Sequence, residues 1–252
     1  MKWHSVKGKG AWLSPGWEVP AGFCTASNTP SPPPLRTLES MAQNCKQLSL
    51  EAGLGEEVAW AFLNQVHGVQ LKKAQGLGKG EIRYLGEADG LWTEQPGVAL
   101  AVQTADCVPV LFLDSHRRRV AAVHAGWRGV WGRIVLELLN TWHKEGSRLE
   151  DIQVALGPCI GACPYGCYEV SEALAQQFSA RWGQAVLCKA EGALKPALDL
   201  AKALELDMLG AGVLPEKLQN AHVCTFCDTR FHSFRREKGN AGRQLSWVLC
   251  SF

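Results

Sequence analysis

The most constraining feature of this sequence is residues 101–129, which place a cysteine and a histidine at the ends of two consecutive apolar runs. The runs Val108–Leu113 and Val120–Val123 flank a short polar turn, and continuous apolar runs of this length favour buried strands. In an antiparallel pair, the start of one strand lies beside the end of the next. The pattern therefore predicts that Cys107 and His124 lie side by side. A thiolate next to an imidazole makes either a metal site or a Cys–His catalytic pair.

The composition limits the kind of protein that this chain can be. Its 252 residues, with 46% hydrophobic and 20% charged residues, are typical of a globular protein with one large core. A net charge of +2 is too small to indicate a nucleic-acid or membrane partner, and no apolar run is long enough to span a bilayer. The first residues lack the apolar core of a signal peptide, so we expect a cytoplasmic protein. The ten cysteines are then expected to be reduced thiols or metal ligands rather than disulfides.

The remaining sequence predicts alternating strands and helices. Residues 1–34 have few periodic signals and end in a Pro-rich loop, and residues 72–87 have the composition of an exposed loop. Apolar periodicity predicts helices at 35–52, 130–142, 170–182 and 198–209, and strands at 58–63, 98–102, 152–156 and 245–249.

Two further patterns lie beside the predicted strands. His67 follows the strand 58–63 and precedes a glycine, and alone it favours a hydrogen-bonded loop histidine. After His124, a loop containing Gly126 and Gly129 leads into a predicted helix. A strand, a glycine-bearing loop and a helix often form an anion site, to which Arg128 would add a positive charge. Spacing alone leaves equally open that Arg128 is an ordinary surface residue.

Five other cysteines form two weaker patterns. Cys159, Cys163 and Cys167 recur every four residues in a Gly- and Pro-rich loop, where three soft ligands could hold a structural metal. Cys224 and Cys227 form a single Cys-x-x-Cys pair, whereas a zinc ribbon needs two. We expect none of the five to be essential for catalysis, because each can be a small buried residue or an incidental thiol.

Several motifs in one order resemble those of the YfiH/DUF152 family. Members of this family have been called polyphenol oxidoreductases or laccases, peptidoglycan editing factors and purine nucleoside phosphorylases. The resemblance covers roughly residues 58–250 and is more specific than any one motif. The motifs are Asn64–Gly68, Ala88–Gly90, Thr104–Pro109, His124–Gly129, Gly157–Gly161, Cys167–Val170 and Ser233–Arg236.

The resemblance implies an α+β fold, a four-layer α/β/β/α arrangement with mixed sheets. It implies one YfiH-like domain over residues 1–252, with a divergent N-terminal segment, 1–57, that lacks an arginine and an S-L-N-L stretch usual in the family. It also implies metal ligands at His67, Cys107 and His124, with zinc as the metal and copper as the alternative. Three protein ligands leave the fourth zinc position open for water or substrate.

The activity implied by the resemblance is that of a zinc-dependent purine nucleoside phosphorylase. Adenosine, inosine and methylthioadenosine would be cleaved by phosphate, with some hydrolytic deamination of adenosine. The partners are then a nucleoside and phosphate, while the oligomeric state is left open. The resemblance and the chemistry of phosphate recognition assign catalysis to Cys107, His124 and Arg128, and substrate binding to Arg128, Arg235 and Arg236.

Three other functions are compatible with the same residues. A copper laccase would need His-x-His pairs, and no two of the seven histidines have that spacing. A Cys hydrolase would use Cys107 as nucleophile and His124 as base, acting on a cell-wall precursor in peptidoglycan editing. A metal-binding interaction protein would have lost its pocket together with the N-terminal segment. A purine-release assay with and without phosphate distinguishes these functions.

Overall fold

The computed structural model describes residues 1–5, 11–26, 38–162, 168–188 and 194–252. These residues form two large sheets, a two-stranded ribbon and helices. The strands are β1 (Lys2–Ser5), β2 (Ala11–Ser14), β3 (Ala21–Cys24), β4 (Ala59–Asn64), β5 (Leu71–Lys73), β6 (Ile82–Glu87), β7 (Gly90–Thr93), β8 (Val98–Thr104), β9 (Val108–Asp114), β10 (Arg119–Ala125), β11 (Gln153–Leu156), β12 (Leu187–Cys188), β13 (Ala197–Leu198), β14 (Leu218–Asn220) and β15 (Gln244–Cys250). The helices are α1 (Leu38–Ala52), α2 (Trp127–Trp131), α3 (Ile134–Lys144), α4 (Glu172–Trp182), α5 (Leu200–Ala211) and α6 (Phe234–Glu237).

Both large sheets are mixed. The first has seven strands in the order β1-β2-β3-β15-β8-β4-β6, and the second has six in the order β14-β11-β9-β10-β7-β5. In the first sheet, β15 pairs antiparallel with all of β8, and β4 joins β8 in parallel. In the second, β9 lies between β10 and β11 and pairs antiparallel with both. Among the described residues, no helix is long and apolar enough to cross a membrane.

The two sheets pack face to face, and helices cover their outer faces. Met41 and Leu48 of α1 pack with Trp60 and Trp247 on the outer face of the seven-stranded sheet. Helices α2 to α5 pack on the outer face of the six-stranded sheet. The order is therefore helix, sheet, sheet, helix, which confirms the four-layer α/β/β/α arrangement expected from the resemblance.

The strand β9 shows why its sequence is apolar throughout. Val110 and Phe112 face the helical layer, whereas Leu111 and Leu113 face the other sheet. Successive side chains of a strand point to opposite faces, so a strand covered on both sides needs apolar residues at every position. This explains why a continuous apolar run, rather than an alternating one, predicted the strand correctly.

The predicted hairpin is present with the expected register. Strands β9 and β10 pair antiparallel, with His124 opposite Pro109 and Ala125 opposite Val108. Cys107 directly precedes β9, so the pairing brings its backbone to the end of β10. The hairpin thus places Cys107 and His124 at the same edge of the six-stranded sheet.

Two predicted irregular regions contain strands. Residues 1–34 include β1, β2 and β3, and residues 72–87 include the end of β5 and all of β6. These strands are short, three to six residues each, and several of their residues are partly exposed. Strands this short give few residues from which a period of two can be recognised. Local periodicity therefore did not reveal them.

The helix predicted at 130–142 is present from Ile134 onwards, but it is not continuous with the residues before it. The chain forms α2 and α3 instead, and Arg133 between them has a left-handed backbone conformation with φ of 63°. The Arg133 guanidinium lies 2.8 Å from the carboxylate of Asp207, which is buried in α5. A non-glycine residue adopts this conformation at a cost, and the ion pair ties Arg133 to a distant segment. Helix α2 has only five residues.

Candidate metal centre

Three side chains from separate parts of the chain converge at the edge of the six-stranded sheet. The loop after β4 supplies His67, the segment before β9 supplies Cys107, and the end of β10 supplies His124. One nitrogen or sulfur atom from each lies within 4.8 Å of the others. The two imidazole rings meet edge to face, with their centroids 4.8 Å apart. His124 is buried and His67 is exposed, so the group opens to solvent on the His67 side.

Asp89 holds two of these three side chains in place. Its carboxylate accepts hydrogen bonds from the backbone N–H groups of Val66, His67 and Gly68, at 3.3, 2.9 and 2.6 Å. The same carboxylate lies 2.8 Å from Nδ1 of His124. A proton on Nδ1 leaves Nε2 as the free acceptor, which is the tautomer that a metal ion needs.

Glycine is required where the backbone approaches the three side chains most closely. A Cβ atom at Gly126 would lie 2.9 Å from Cδ2 of His67 and 3.1 Å from Sγ of Cys107. Contacts this short would push both side chains out of position. The absence of a side chain at Gly126 therefore lets His67 and Cys107 lie close together, in addition to the position of Gly126 before a helix.

Mutual attraction changes the pKa values of the Cys107 and His124 pair. Burial opposes ionisation of the Cys107 thiol, but the neighbouring His124 and His67 outweigh it and lower its pKa to about 6. Burial likewise opposes the charged form of His124, but the Cys107 thiolate and the Asp89 carboxylate raise its pKa to about 9. Without a metal ion, the pair is therefore a thiolate and an imidazolium near neutral pH.

The donor set fits a soft or borderline metal ion. A thiolate with two imidazoles is a set found with zinc and with Cu(I). His67, Cys107 and His124 would hold such an ion, and their ligand atoms already lie within 4.8 Å of one another.

The three side chains line one wall of a cavity of about 700 Å³. This volume is in the range of sites that bind small molecules. Aromatic residues and arginines line the rest of the cavity, with amides near the end of β4. The lining residues are Leu63, Asn64, Gln65, His67, Tyr84, Gln103, Thr104, Ala105, Asp106, Cys107, His124, Ile160, Tyr168, Phe234, Arg235 and Arg243.

The predicted arginines do not share one location. Arg235 lines the cavity, where its guanidinium lies 5.5 Å from the centroid of the Tyr168 ring. Arg236, its neighbour, donates to the backbone carbonyls of Thr225, Phe226 and Phe231, at 2.6, 2.9 and 2.5 Å. Arg236 therefore fixes the fold of this segment and points away from the cavity.

Arg128 lies outside the cavity lining and is exposed. Its guanidinium lies 4.6 Å from the centroid of the Trp127 ring. Arg128 is still near the site, because its charge acts to lower the pKa of Tyr168. That pKa is nevertheless raised to about 12, since burial and the Cys107 thiolate both disfavour the phenolate.

The remaining cysteines of interest are elsewhere. Cys159 and Cys224 face each other in an isolated parallel bridge, and the sulfur of Cys224 accepts a hydrogen bond from the N–H of Gly161. Cys163 and Cys167 lie outside the described residues. The ligand group formed by described residues contains neither Cys159 nor Cys224 nor Cys227.

Sequence reasoning missed several residues of the site. In the sequence, Asp89 was noted only as part of a motif. Its small neighbours, Ala88 and Gly90, leave room for the backbone of residues 66–68 to come close to its carboxylate. Arg243 had no signal, because its proximity to the site depends on the pairing of two distant strands. Gln244, the next residue, lies opposite Thr104 in the β15–β8 register, so Arg243 flanks the segment leading to Cys107.

Fold and site together define a four-layer α/β/β/α protein with a His–Cys–His group on the wall of a cavity. The profile of the family described as multi-copper polyphenol oxidoreductase laccase matches residues 37–251. A purine nucleoside phosphorylase of Deinococcus radiodurans is 37% identical over 248 residues, 94% of this chain and 90% of that protein. Adenosine deaminase RL5, from an unknown prokaryotic organism, is 32% identical over 163 residues, 64% of this chain and 61% of that protein.

Solved structures agree with these sequence matches. The crystal structure of Bacillus licheniformis hypothetical protein YfiH superimposes with a TM-score of 0.81 at 26% identity, covering 96% of each chain. The chain therefore belongs to the family described as multi-copper polyphenol oxidoreductase laccase, which is the YfiH/DUF152 family. The resemblance seen in its motifs is confirmed.

Proposed function

We propose that this protein is a zinc-dependent purine nucleoside phosphorylase, with zinc bound by His67, Cys107 and His124. The observation that supports this most directly is the convergence of these three side chains on the wall of a cavity of about 700 Å³. The name of the Deinococcus relative, a purine nucleoside phosphorylase, points to the same reaction. The substrates would be adenosine, inosine or methylthioadenosine together with phosphate.

The cavity offers suitable contacts for both substrates. Tyr84, Tyr168 and Phe234 line it, and aromatic faces of this kind can stack on a purine base. Arg235 and Arg243 supply positive charge for a phosphate dianion, and an arginine can bind two phosphate oxygens at once. Of the arginines predicted from the sequence, we retain Arg235 as the phosphate contact, because Arg128 and Arg236 lie outside the cavity lining.

The candidate metal ligands are held in place, and kept in the right protonation state, by neighbouring residues of the chain. Asp89 accepts a hydrogen bond from Nδ1 of His124, and it fixes the loop that holds His67. The lowered pKa of Cys107 keeps the thiolate available as a ligand near neutral pH. When bound, zinc would supply Lewis acidity or a water of lowered pKa. Zinc rather than copper as the metal in the cell is part of the proposal.

The test is purine release by zinc-loaded protein, with and without phosphate. We expect formation of ribose 1-phosphate from adenosine and inosine only when phosphate is present. Cys107→Ala should lose most of the zinc and the activity, whereas the Cys224→Ser, Cys227→Ser double variant should keep both within a few-fold. Base release that does not depend on phosphate, or ribose without ribose 1-phosphate, would contradict phosphorolysis.

Two other activities have specific support. Adenosine deamination is the activity named for the RL5 relative, and conversion of adenosine to inosine in the same assay would detect it. A Cys hydrolase is supported by the order Cys107, His124, Asp89, which has the geometry of nucleophile, base and orienting carboxylate. Removal of zinc distinguishes the Cys hydrolase from the phosphorylase, because a Cys hydrolase would keep its activity and a zinc-dependent phosphorylase would lose it.

A further inference from the structure

Asp106, the residue before the ligand Cys107, has an unusual conformation and environment. Its φ is 93°, a value that residues other than glycine rarely adopt, and its side chain is buried. Its own carbonyl accepts a hydrogen bond from Ile160 N–H at 2.9 Å. Contacts from the surrounding fold therefore hold the backbone in this conformation.

The carboxylate of Asp106 joins two segments that are far away in sequence. Its Oδ1 accepts a hydrogen bond from the Thr225 hydroxyl at 2.7 Å, and its Oδ2 accepts one from the backbone N–H of Arg235 at 2.7 Å. Arg235 is the second residue of α6, so its N–H has no partner inside that helix. Asp106 supplies the missing acceptor from outside.

This hydrogen bond fixes the backbone of Arg235, and therefore the position from which its side chain extends. The Arg235 guanidinium then lies against Tyr168 and donates to the carbonyl of Glu169 at 3.2 Å. Asp106, Cys107 and Arg235 all line the same cavity. Asp106 thus links the segment that contains Cys107 to an arginine of the cavity lining.

We propose that Asp106 is a positioning residue, which holds Arg235 in the lining of the cavity that also contains His67, Cys107 and His124, so that Arg235 can bind a phosphate group there. Each of its carboxylate oxygens already accepts a hydrogen bond within the protein, which favours positioning over proton transfer to a substrate. The inference rests on the proposed use of phosphate by this site. Phosphate binding can be measured without turnover, so the two proposals can be tested separately.

Three variants separate the contributions of Asp106. Asp106→Gly removes the carboxylate, and glycine adopts a φ of 93° without strain, so the variant adds no backbone strain at this position. Asp106→Asn can still accept from Arg235 N–H through its oxygen, while its NH₂ group donates to the Thr225 hydroxyl. Thr225→Val removes only the contact to Oδ1.

The primary measurement is calorimetric titration of zinc-loaded protein with inorganic phosphate. Asp106→Gly should raise the Kd for phosphate about tenfold or more, as expected when one charge-assisted contact is lost. Thr225→Val should have a smaller effect, and Asp106→Asn should recover most of the affinity lost in Asp106→Gly. All three should retain the zinc content of the parent.

Two further measurements distinguish positioning from general stability and from catalysis. Hydrogen exchange should show faster exchange of the peptide covering 231–237 in Asp106→Gly than in Asp106→Asn. In nucleoside cleavage, KM for phosphate should rise in Asp106→Gly while kcat at saturating phosphate changes only a few-fold.

The outcomes decide the question. If Asp106→Gly binds phosphate as the parent does, or if Asp106→Asn is as impaired as Asp106→Gly, the positioning role is wrong. A parent protein that binds no phosphate also overturns it. A parent that binds phosphate but cleaves nucleosides without it refutes phosphorolysis, while the Kd series still tests Asp106.

Discussion

Replacement of Asp89 by asparagine tests how the metal centre is organised. The Asp89 carboxylate is fully buried and accepts four hydrogen bonds, three from backbone N–H groups and one from His124. Oδ1 serves His67 and His124, and Oδ2 serves Val66 and Gly68. Asparagine has nearly the same shape but offers only one oxygen. In either orientation its NH₂ group therefore faces two donors.

The two orientations of the new amide side chain would damage the site in different ways. If the NH₂ group faces His124, the imidazole must carry its proton on Nε2, and that nitrogen can no longer bind a metal ion. If the NH₂ group faces Val66 and Gly68, the loop that holds His67 loses its anchor. Metal affinity should fall about 10–100-fold in both cases, the usual effect of losing such a supporting carboxylate.

The free energy of unfolding should fall as well, and the size of the decrease follows from the number of hydrogen bonds lost. Two hydrogen bonds to a charged acceptor are lost, each worth roughly 1.5–3 kcal/mol, so the free energy of unfolding should fall by roughly 3–6 kcal/mol. This is a large part of the ~5–15 kcal/mol typical of a folded protein. Zinc affinity must therefore be measured well below the melting temperature of the variant.

The assay is competition for zinc with a chromophoric chelator, together with thermal unfolding of the metal-free protein. Asp114→Asn is the matched control, because Asp114 is equally buried and accepts from Arg117 N–H and the Ser147 hydroxyl at the other end of β9. It should lower stability without changing zinc affinity. Folded Asp89→Asn protein that binds zinc as tightly as the parent would refute the reasoning.

Three further predictions follow from the same contacts. In metal-free protein, the ultraviolet absorbance of the Cys107 thiolate, measured against Cys107→Ala, should titrate with a pKa of about 6, and His124→Asn should raise that pKa. Because the pKa is lowered from 9.0, the stability that the thiolate contributes is present above the unfolded-state pKa and is lost as the pH falls through about 6; a pKa that stays at its ordinary value would contradict the ion pair. Gly126→Ala should weaken zinc binding about tenfold, since its Cβ would meet His67 and Cys107 at 2.9 and 3.1 Å, whereas Gly210→Ala, whose Cβ meets no atom within 4 Å, should not. Arg236→Ala should lower the free energy of unfolding by about 2–4 kcal/mol through its lost carbonyl contacts, whereas Arg235→Ala should mainly weaken phosphate binding, as calorimetry and chemical unfolding will show. Equal effects of the two arginine variants on stability and on phosphate would contradict their separate roles.

The sequence by itself determined the central hairpin and the pairing of Cys107 with His124. Continuous apolar runs encode strands that are buried on both faces, and a short turn leaves little choice of partner or register. The approach of Cys107 to His124 is therefore a local property of the chain, because only one turn separates the two strands at whose ends they lie. Local apolar periodicity likewise predicted α1, α4 and α5 to within a few residues.

For His67, the local sequence was not sufficient. One histidine after a strand is a weak signal, and the prediction of a ligand came from the family resemblance. The reason is that His67 reaches the other two side chains through the Asp89 carboxylate, which lies 22 residues further along the chain. Only the packed fold brings these groups together.

Tertiary structure alone decided the roles of the arginines and the ends of several elements. Arg235 and Arg236 are adjacent and chemically identical, yet one lines the cavity and the other holds backbone carbonyls. The backbone of Arg235 is bonded to Asp106, 129 residues away along the chain, and this contact exists only in the packed fold. The break at Arg133, which pairs with the distant Asp207, similarly interrupts a helix whose apolar pattern is unbroken. Periodicity specifies which face of an element is buried, but contacts between distant residues depend on how the two sheets and their helices pack, and no local pattern contains that information.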